Sequence, residues 1–169
     1  RQEAINLVKN VHRYDGLRAD RCMANFGLEI RLALADPEIV DYVFSLPSEL
    51  TMPQNGLEKA LLRDAFRDMK LIPDTVNQRK KDAMSDAVSK LDRSWYQIIQ
   101  EYINKIVTDD EFLTEKDKFT HCIPYTKESY YYRKKFVQYF GDSENVAKVI
   151  PYFWLHKWSI SSDPSARTI

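Results

Sequence analysis

The stretch YDGLRADRCMANFGLEIRLALAD, residues 14–36, decides how this chain is read. It continues an amphipathic pattern, breaks at Gly27, and then carries Glu29, Arg31 and Asp36 through an otherwise apolar segment. A charged side chain among apolar neighbours is costly unless it is paired or hydrogen-bonded. These three residues therefore either staple the fold or face a polar ligand.

Working outward, Ala4, Ile5, Val8 and Val11 lie on one side at helical spacing. The pattern predicts one helix from residue 2 to Asn25, with Gly16 a weak point costing about 1 kcal/mol in a helix interior. Residues 28–35 read as an extended connector. Asp36-Pro37-Glu38 is a strong helix start, because Asp36 can cap free amides, Pro37 suits the first turn and Glu38 favours the positive helix end. Val40, Val43, Phe44 and Leu46 give that helix its apolar face, and Pro47 ends it. Asn55-Gly56 marks a turn, followed by helical spacing over 57–69 through Leu61, Leu62, Ala65 and Phe66.

Residues 74–90 are polar and ambiguous, and contain the basic run Arg79-Lys80-Lys81. Ile98, Ile99, Tyr102, Ile103 and Ile106 then make a broad helical stripe over 95–107. Further helices are expected over 108–118, over 126–140 with Gly141 at the C-cap, and over 143–150 before the aromatic tail Tyr152, Phe153, Trp154 and Trp158. No strand alternation persists and no repeat or linker divides the chain. The expected fold class is mainly α, in one unit.

Composition narrows the function. The chain has 169 residues, enough to bury a sizeable core. Lys plus Arg equals Asp plus Glu at 25 each, so no net field draws nucleic acid or anionic lipid. Cys22 and Cys122 have no metal or redox spacing and suggest a reducing compartment. With no apolar run of membrane-spanning length, a cytoplasmic location is expected, with no membrane and no nucleic-acid partner. His12, His121 and His156 share no metal spacing, so no metal site is expected on this chain. Four scattered glycines form no phosphate cradle, and no serine or cysteine sits in a nucleophile context. What remains is a set of charges: Glu29, Arg31, Asp36, Glu58, Arg63, Lys81 and Asp86. On spacing alone the run Arg79 to Lys81 reads as a solvated loop and Glu58 as a helix-surface ion pair worth little.

The motifs themselves say more. LRADRCMANFGLEIRLALAD at 17–36 resembles the segment of glutamine-dependent asparagine synthetases with L-R-A-(D/N)-(R/K) followed by G-(L/V)-E-x-R-x-P-F-L-D. Asn55-Gly56-Leu57-Glu58-Lys59 with Leu62-Arg63 resembles that family's N-G-x-E-K-x-x-L-R. Residues 79–86, RKKDAMSD, resemble its R-x-K-E-x-F-S-D. TKESYYYR at 126–133, WLHKW at 154–158 and DPSAR at 163–167 resemble its T-K-E-x-Y-Y-Y-R, W-x-x-(K/R)-W and D-P-S-A-R.

The resemblance implies that residues 1–169 are the helical C-terminal part of a synthetase domain of the adenine-nucleotide α-hydrolase type. Its parallel sheet, its S-G-G-x-D-S phosphate loop, a downstream catalytic Glu and an N-terminal glutaminase with a Cys nucleophile would lie upstream. It implies ATP with Mg²⁺, aspartate activated as β-aspartyl-AMP, and ammonia from glutamine as the attacking group. A homodimer is among the assemblies open to such a parent, while the chain alone would be inactive. Lys81 would be the catalytic residue, its ammonium facing the leaving pyrophosphate. Glu29, Arg31 and Asp36 would form a polar network beside the adenylate pocket, or else a cap and a buried ion pair. Glu58, Lys59, Arg63 and Asp86 would support the loop that carries Lys81, and Tyr130 to Tyr132 with the tryptophans Trp154 and Trp158 would pack. The sequence departs from the pattern at Ala33-Leu34-Ala35, where Pro-Phe-Leu is usual, at Asp82 for Glu and at Ala87 for Gly. Those departures keep two other readings open, a non-catalytic helical interaction module descended from such an enzyme and a β-lactam-forming relative.

Overall fold

A computed structural model describes residues 1–81, 88 and 92–154. Asp82, Asp86, Ala87, His156, Trp158 and the DPSAR motif lie outside the described residues. The chain divides into two units, Arg1–Asp82 and Ala83–Ile169. The described residues are mainly helical, as the periodicity predicts, and no strand is formed among them.

In the first unit, helix α1 spans Gln2–Asn10 and α2 spans Asp15–Ala24, joined by a 3₁₀ turn at Val11–Arg13. The single helix expected over 2–25 is therefore two. The chain breaks at Tyr14, whose φ −121° and ψ −101° are not helical. Gly16 marks the reason, since a Cβ there would sit 2.9 Å from the Val11 carbonyl oxygen. It permits a close backbone approach and is not a weak point in a continuous helix. Gly27 ends the pattern as expected. With φ +67° it forms a Schellman cap, in which the Leu28 N–H donates to Met23 O at 3.0 Å and the Gly27 N–H to Ala24 O at 3.0 Å.

Residues 28–35 are not extended throughout. Ala33–Ala35 close a 3₁₀ turn, with the Ala35 N–H donating to Leu32 O at 2.9 Å. Three good helix formers with no β-branched residue or proline among them favour this over an extended path. Helix α3, Pro37–Ser45, then starts as the Asp-Pro-Glu signal predicts, and Asp36 accepts a hydrogen bond from the Glu38 N–H at 2.9 Å. The Arg1 guanidinium donates to Leu46 O at 2.9 Å and to Phe44 O, satisfying carbonyls that the end of α3 leaves open. Short helix α4, Ser48–Thr51, follows.

The turn at Asn55-Gly56 carries positive φ at both central residues, 53° and 75°. It is closed by reciprocal bonds between Gln54 and Leu57 of 3.1 and 2.9 Å. Asn-Gly is the pair that tolerates such a mirror-image turn best. Helix α5, Ala60–Arg67, is shorter than the 57–69 expected, because Lys59 at its N-cap is left-handed (φ +59°, ψ +32°). Helix α6 is one turn, Asp74–Asn77. Among the described residues of this unit only Ala60 and Asn77 are buried. Phe26 is 77% exposed and Leu71 70%, so the sizeable core expected from chain length is not formed here.

In the second unit, α7 spans Trp95–Ile106, α8 Asp109–Glu115, α9 Lys127–Phe140 and α10 Glu144–Ala147. Each of the two long helices begins with a capping box, Ser94 with Gln97 and Thr126 with Ser129. The stripe read from sequence turns inward only in part: Ile103, with Val107 at i+4, buries against Tyr130 of α9, with Ile99, Phe112, Phe119 and Tyr131 packed around them, while Tyr102 and Ile106 are 60% and 44% exposed. Burial of side chains this size stabilises by roughly 1.5–3 kcal/mol each. The reading of 130–132 as packing holds for Tyr130 and Tyr131 but not for Tyr132, which is 50% exposed. Tyr130 and Tyr131 reach the core from adjacent positions, and Tyr132 falls on the far side of the helix.

Candidate functional site

The residues that the sequence singled out near Lys81 are drawn together by α5 and α6. Arg63 on α5 donates from Nε to Glu58 O at 2.9 Å and from a terminal nitrogen to Asn77 O at the end of α6. Asn77 answers with its side-chain amide, Nδ2 donating to Arg63 O at 3.1 Å. Asn77 is 5% exposed, so this reciprocal clasp is shielded from water. Past it the Gln78 N–H donates to Asp74 O at 2.9 Å and the Arg79 N–H to Val76 O at 3.2 Å, and the chain then reaches exposed Lys80 and Lys81.

Glu58 closes the ring. Its carboxyl is held below the ordinary carboxylate range, first by its own backbone N–H against the opposing effect of desolvation, then by the Lys81 backbone N–H and the charges of Lys80 and Lys81. One oxygen, Oε2, is shielded from solvent. The Glu58 carboxyl thus lies near the Lys81 backbone N–H, and its backbone carbonyl receives Arg63. An open cleft of about 390 Å³ lies beside the clasp, lined by Asn55, Gly56, Ala60, Arg67, Gln78 and Lys80. Arg67 is paired with Asp64 at its edge.

The expected network at 29–36 takes a different form. Glu29 Oε1 and Arg31 lie 3.1 Å apart, but their side chains are 74% and 84% exposed. The alternative of a buried ion pair is therefore corrected: the Schellman turn at Gly27 delivers both residues to an open segment. Asp36 directs Oδ1 to the cap of α3. Lys59 is exposed and contributes its left-handed backbone to the start of α5. Asp86 lies outside the described residues.

Asn77 was not visible in the sequence, because it falls in the polar stretch that lacks helical periodicity. The signal available was Pro73-Asp74, a helix start of the same kind as at residue 36. No cluster of His, Cys, Asp or Glu among the described residues is arranged to hold a metal, and none of the described helices is long and apolar enough to cross a membrane.

Fold and site together define a helical segment in which a lysine-bearing loop is locked to two helices and whose first unit leaves its apolar faces open. The model of the asparagine synthase family matches residues 1–160, and the chain belongs to that family. It is 41% identical over 170 aligned positions to a chicken asparagine synthetase (glutamine-hydrolysing), and 39% identical over 168 to those of cattle and human. Each of these alignments covers 99% of this chain and 29% of the relative.

Proposed function

We propose that this chain is the helical C-terminal part of the synthetase domain of a glutamine-hydrolysing asparagine synthetase, a ligase that makes asparagine from aspartate and glutamine-derived ammonia. The observation that carries the reading is the match of residues 1–160 to the family, within which the N-G-L-E-K and R-K-K motifs meet in one clasp. In the parent, a parallel sheet and a glutaminase domain precede this segment, and the open apolar faces of α1 to α3 find their cover there. The parent acts in the cytoplasm.

ATP activates the side-chain carboxylate of aspartate as β-aspartyl-AMP and leaves as pyrophosphate; ammonia then displaces AMP. The part of Lys81 is electrostatic. Negative charge grows on the departing pyrophosphate, and an ammonium aimed at it stabilises that transition state more than the ground state. Glu58 and Arg63 hold the loop from which Lys81 extends. Glu29, Arg31 and Asp36 line the adenylate side. Mg²⁺ belongs to the reading as the companion of ATP.

The test is pyrophosphate release by the full-length protein given aspartate and Mg²⁺-ATP. Lys81→Ala is expected to lower the rate by on the order of 10²–10³-fold, as for loss of one transition-state charge donor, with an unchanged melting temperature. An undiminished rate in the variant removes Lys81 from the mechanism. A full-length protein that releases no pyrophosphate with any carboxylic acid would favour the non-catalytic module.

A further inference from the structure

The clasp between α5 and α6 contains one buried side chain that neither the motifs nor the family match assigns. Asn77 is 5% exposed and sits four residues before Lys81, in a chain segment with no apolar anchor of its own: Val76 is 58% exposed. What fixes the exit of α6 is polar. The Asn77 amide reaches the Arg63 carbonyl at 3.1 Å, the Arg63 guanidinium returns to the Asn77 carbonyl, and the same guanidinium holds Glu58 O at 2.9 Å. The Glu58 carboxyl lies near the Lys81 backbone N–H as well. A one-turn helix of four residues cannot maintain its own direction.

We propose that Asn77 is a positioning residue for Lys81: by its reciprocal hydrogen bonds with Arg63 it sets where the chain leaves α6 and hence where the lysine ammonium can reach. The inference rests on the reading of Lys81 as the group that meets pyrophosphate. Asn77 touches no reacting atom and acts only through the lysine. Loss of its amide removes one of the two hydrogen bonds between Arg63 and Asn77 and lets α6 shift against α5. A displacement of about 1 Å at a catalytic group can cost on the order of 10²-fold in rate.

A double-mutant cycle in the full-length protein tests this, with pyrophosphate release from aspartate and Mg²⁺-ATP as readout. Asn77→Ala should lower kcat by about 10- to 100-fold with little change in KM for aspartate. In a Lys81→Ala background the same substitution should lower it less than about twofold, because a residue acting through Lys81 has nothing left to position. Equal losses in both backgrounds would overturn the proposal and make Asn77 a general stabiliser, as would an unchanged kcat in Asn77→Ala. If Asn77→Ala does not fold, Asn77→Leu, which refills the volume without the donor, takes its place in the cycle. Failure of the underlying reading is distinguishable, since Lys81→Ala alone would then leave the rate unchanged.

Discussion

The two units solve the same problem with different means. In Ala83–Ile169, α7 and α9 bury Ile103, Val107 and Tyr130 against one another and the polar groups decorate that cluster. In Arg1–Asp82 no large apolar side chain is buried among the described residues, and the helices are tied by polar clasps: Arg1 on the end of α3, and Arg63 with Asn77 between α5 and α6. Apolar burial is non-directional and tolerates small displacements, whereas a hydrogen-bonded clasp fixes position at little net gain in stability. The unit that carries Lys81 is thus the one organised for placement, and the other is organised for cohesion.

The sharpest way to break this comparison is to remove the cohesive element. Ile103→Ala deletes a buried branched side chain from the α7–α9 interface and should destabilise the second unit by about 2–5 kcal/mol. Native-state hydrogen exchange reads the effect locally: amides of α7 and α9 should open together, while those of α5 keep their protection. A loss below 1 kcal/mol, the level of an exposed site, would mean that the cluster does not carry the unit.

This division also explains what could be read from the chain. The helix over 95–106 and the Asp36-Pro37-Glu38 start were legible because each rests on local chemistry, a 3.6-residue period in one case and a capping side chain in the other. The break at Tyr14 was not, since it arises from the close approach of residue 16 to the Val11 carbonyl, a tertiary fact that pattern alone treats as helix continuation. Residue types placed Glu58, Arg63 and Lys81 together only through family resemblance. Their meeting depends on the turn at Asn55-Gly56 and on α6, whose single turn has no apolar stripe to announce it. Exposure was the least legible property. Glu29 and Arg31 look internal among leucines, yet Leu28, Leu32 and Leu34 are themselves more than half exposed.

A smaller effect sharpens the picture of the second unit. Glu111 on α8 accepts from the Tyr130 hydroxyl at 3.1 Å and from Lys134 Nζ at 2.5 Å. Lys134 holds the Glu111 carboxyl below its ordinary range, with burial opposing and Tyr130 adding, while burial and then Glu111 push the Tyr130 phenol up to about 12. The depressed carboxyl contributes stability that is present above the unfolded carboxylate range and lost as pH falls through its folded value. The raised phenol contributes stability present below about 10, its unperturbed value, and lost as pH rises through about 12. Together they define a window of pH with a loss of stability on either side. Ultraviolet titration of phenolate should show one late-titrating tyrosine, and Glu111→Gln should move it part of the way down, burial retaining the rest. An unmoved titration would detach Glu111 from Tyr130.

The smallest expected effect bears on the segment that opened the reading. If the Glu29–Arg31 pair served the fold, it would have to do so against water, because the two side chains are 74% and 84% exposed. Exposed pairs of this kind contribute between 0 and about 0.5 kcal/mol, since screening and side-chain entropy offset the attraction. Glu29→Gln and Arg31→Gln should therefore leave the melting of the first unit within error, singly and together. Their effect on pyrophosphate release is the informative quantity. A residue that neither stabilises the fold nor meets substrate can be exchanged freely, so a fall in kcat/KM for aspartate at unchanged stability would assign the pair to the adenylate side of the site. An unchanged kcat/KM would leave both as solvated charges and restrict the chemistry of the first unit to the clasp around Lys81.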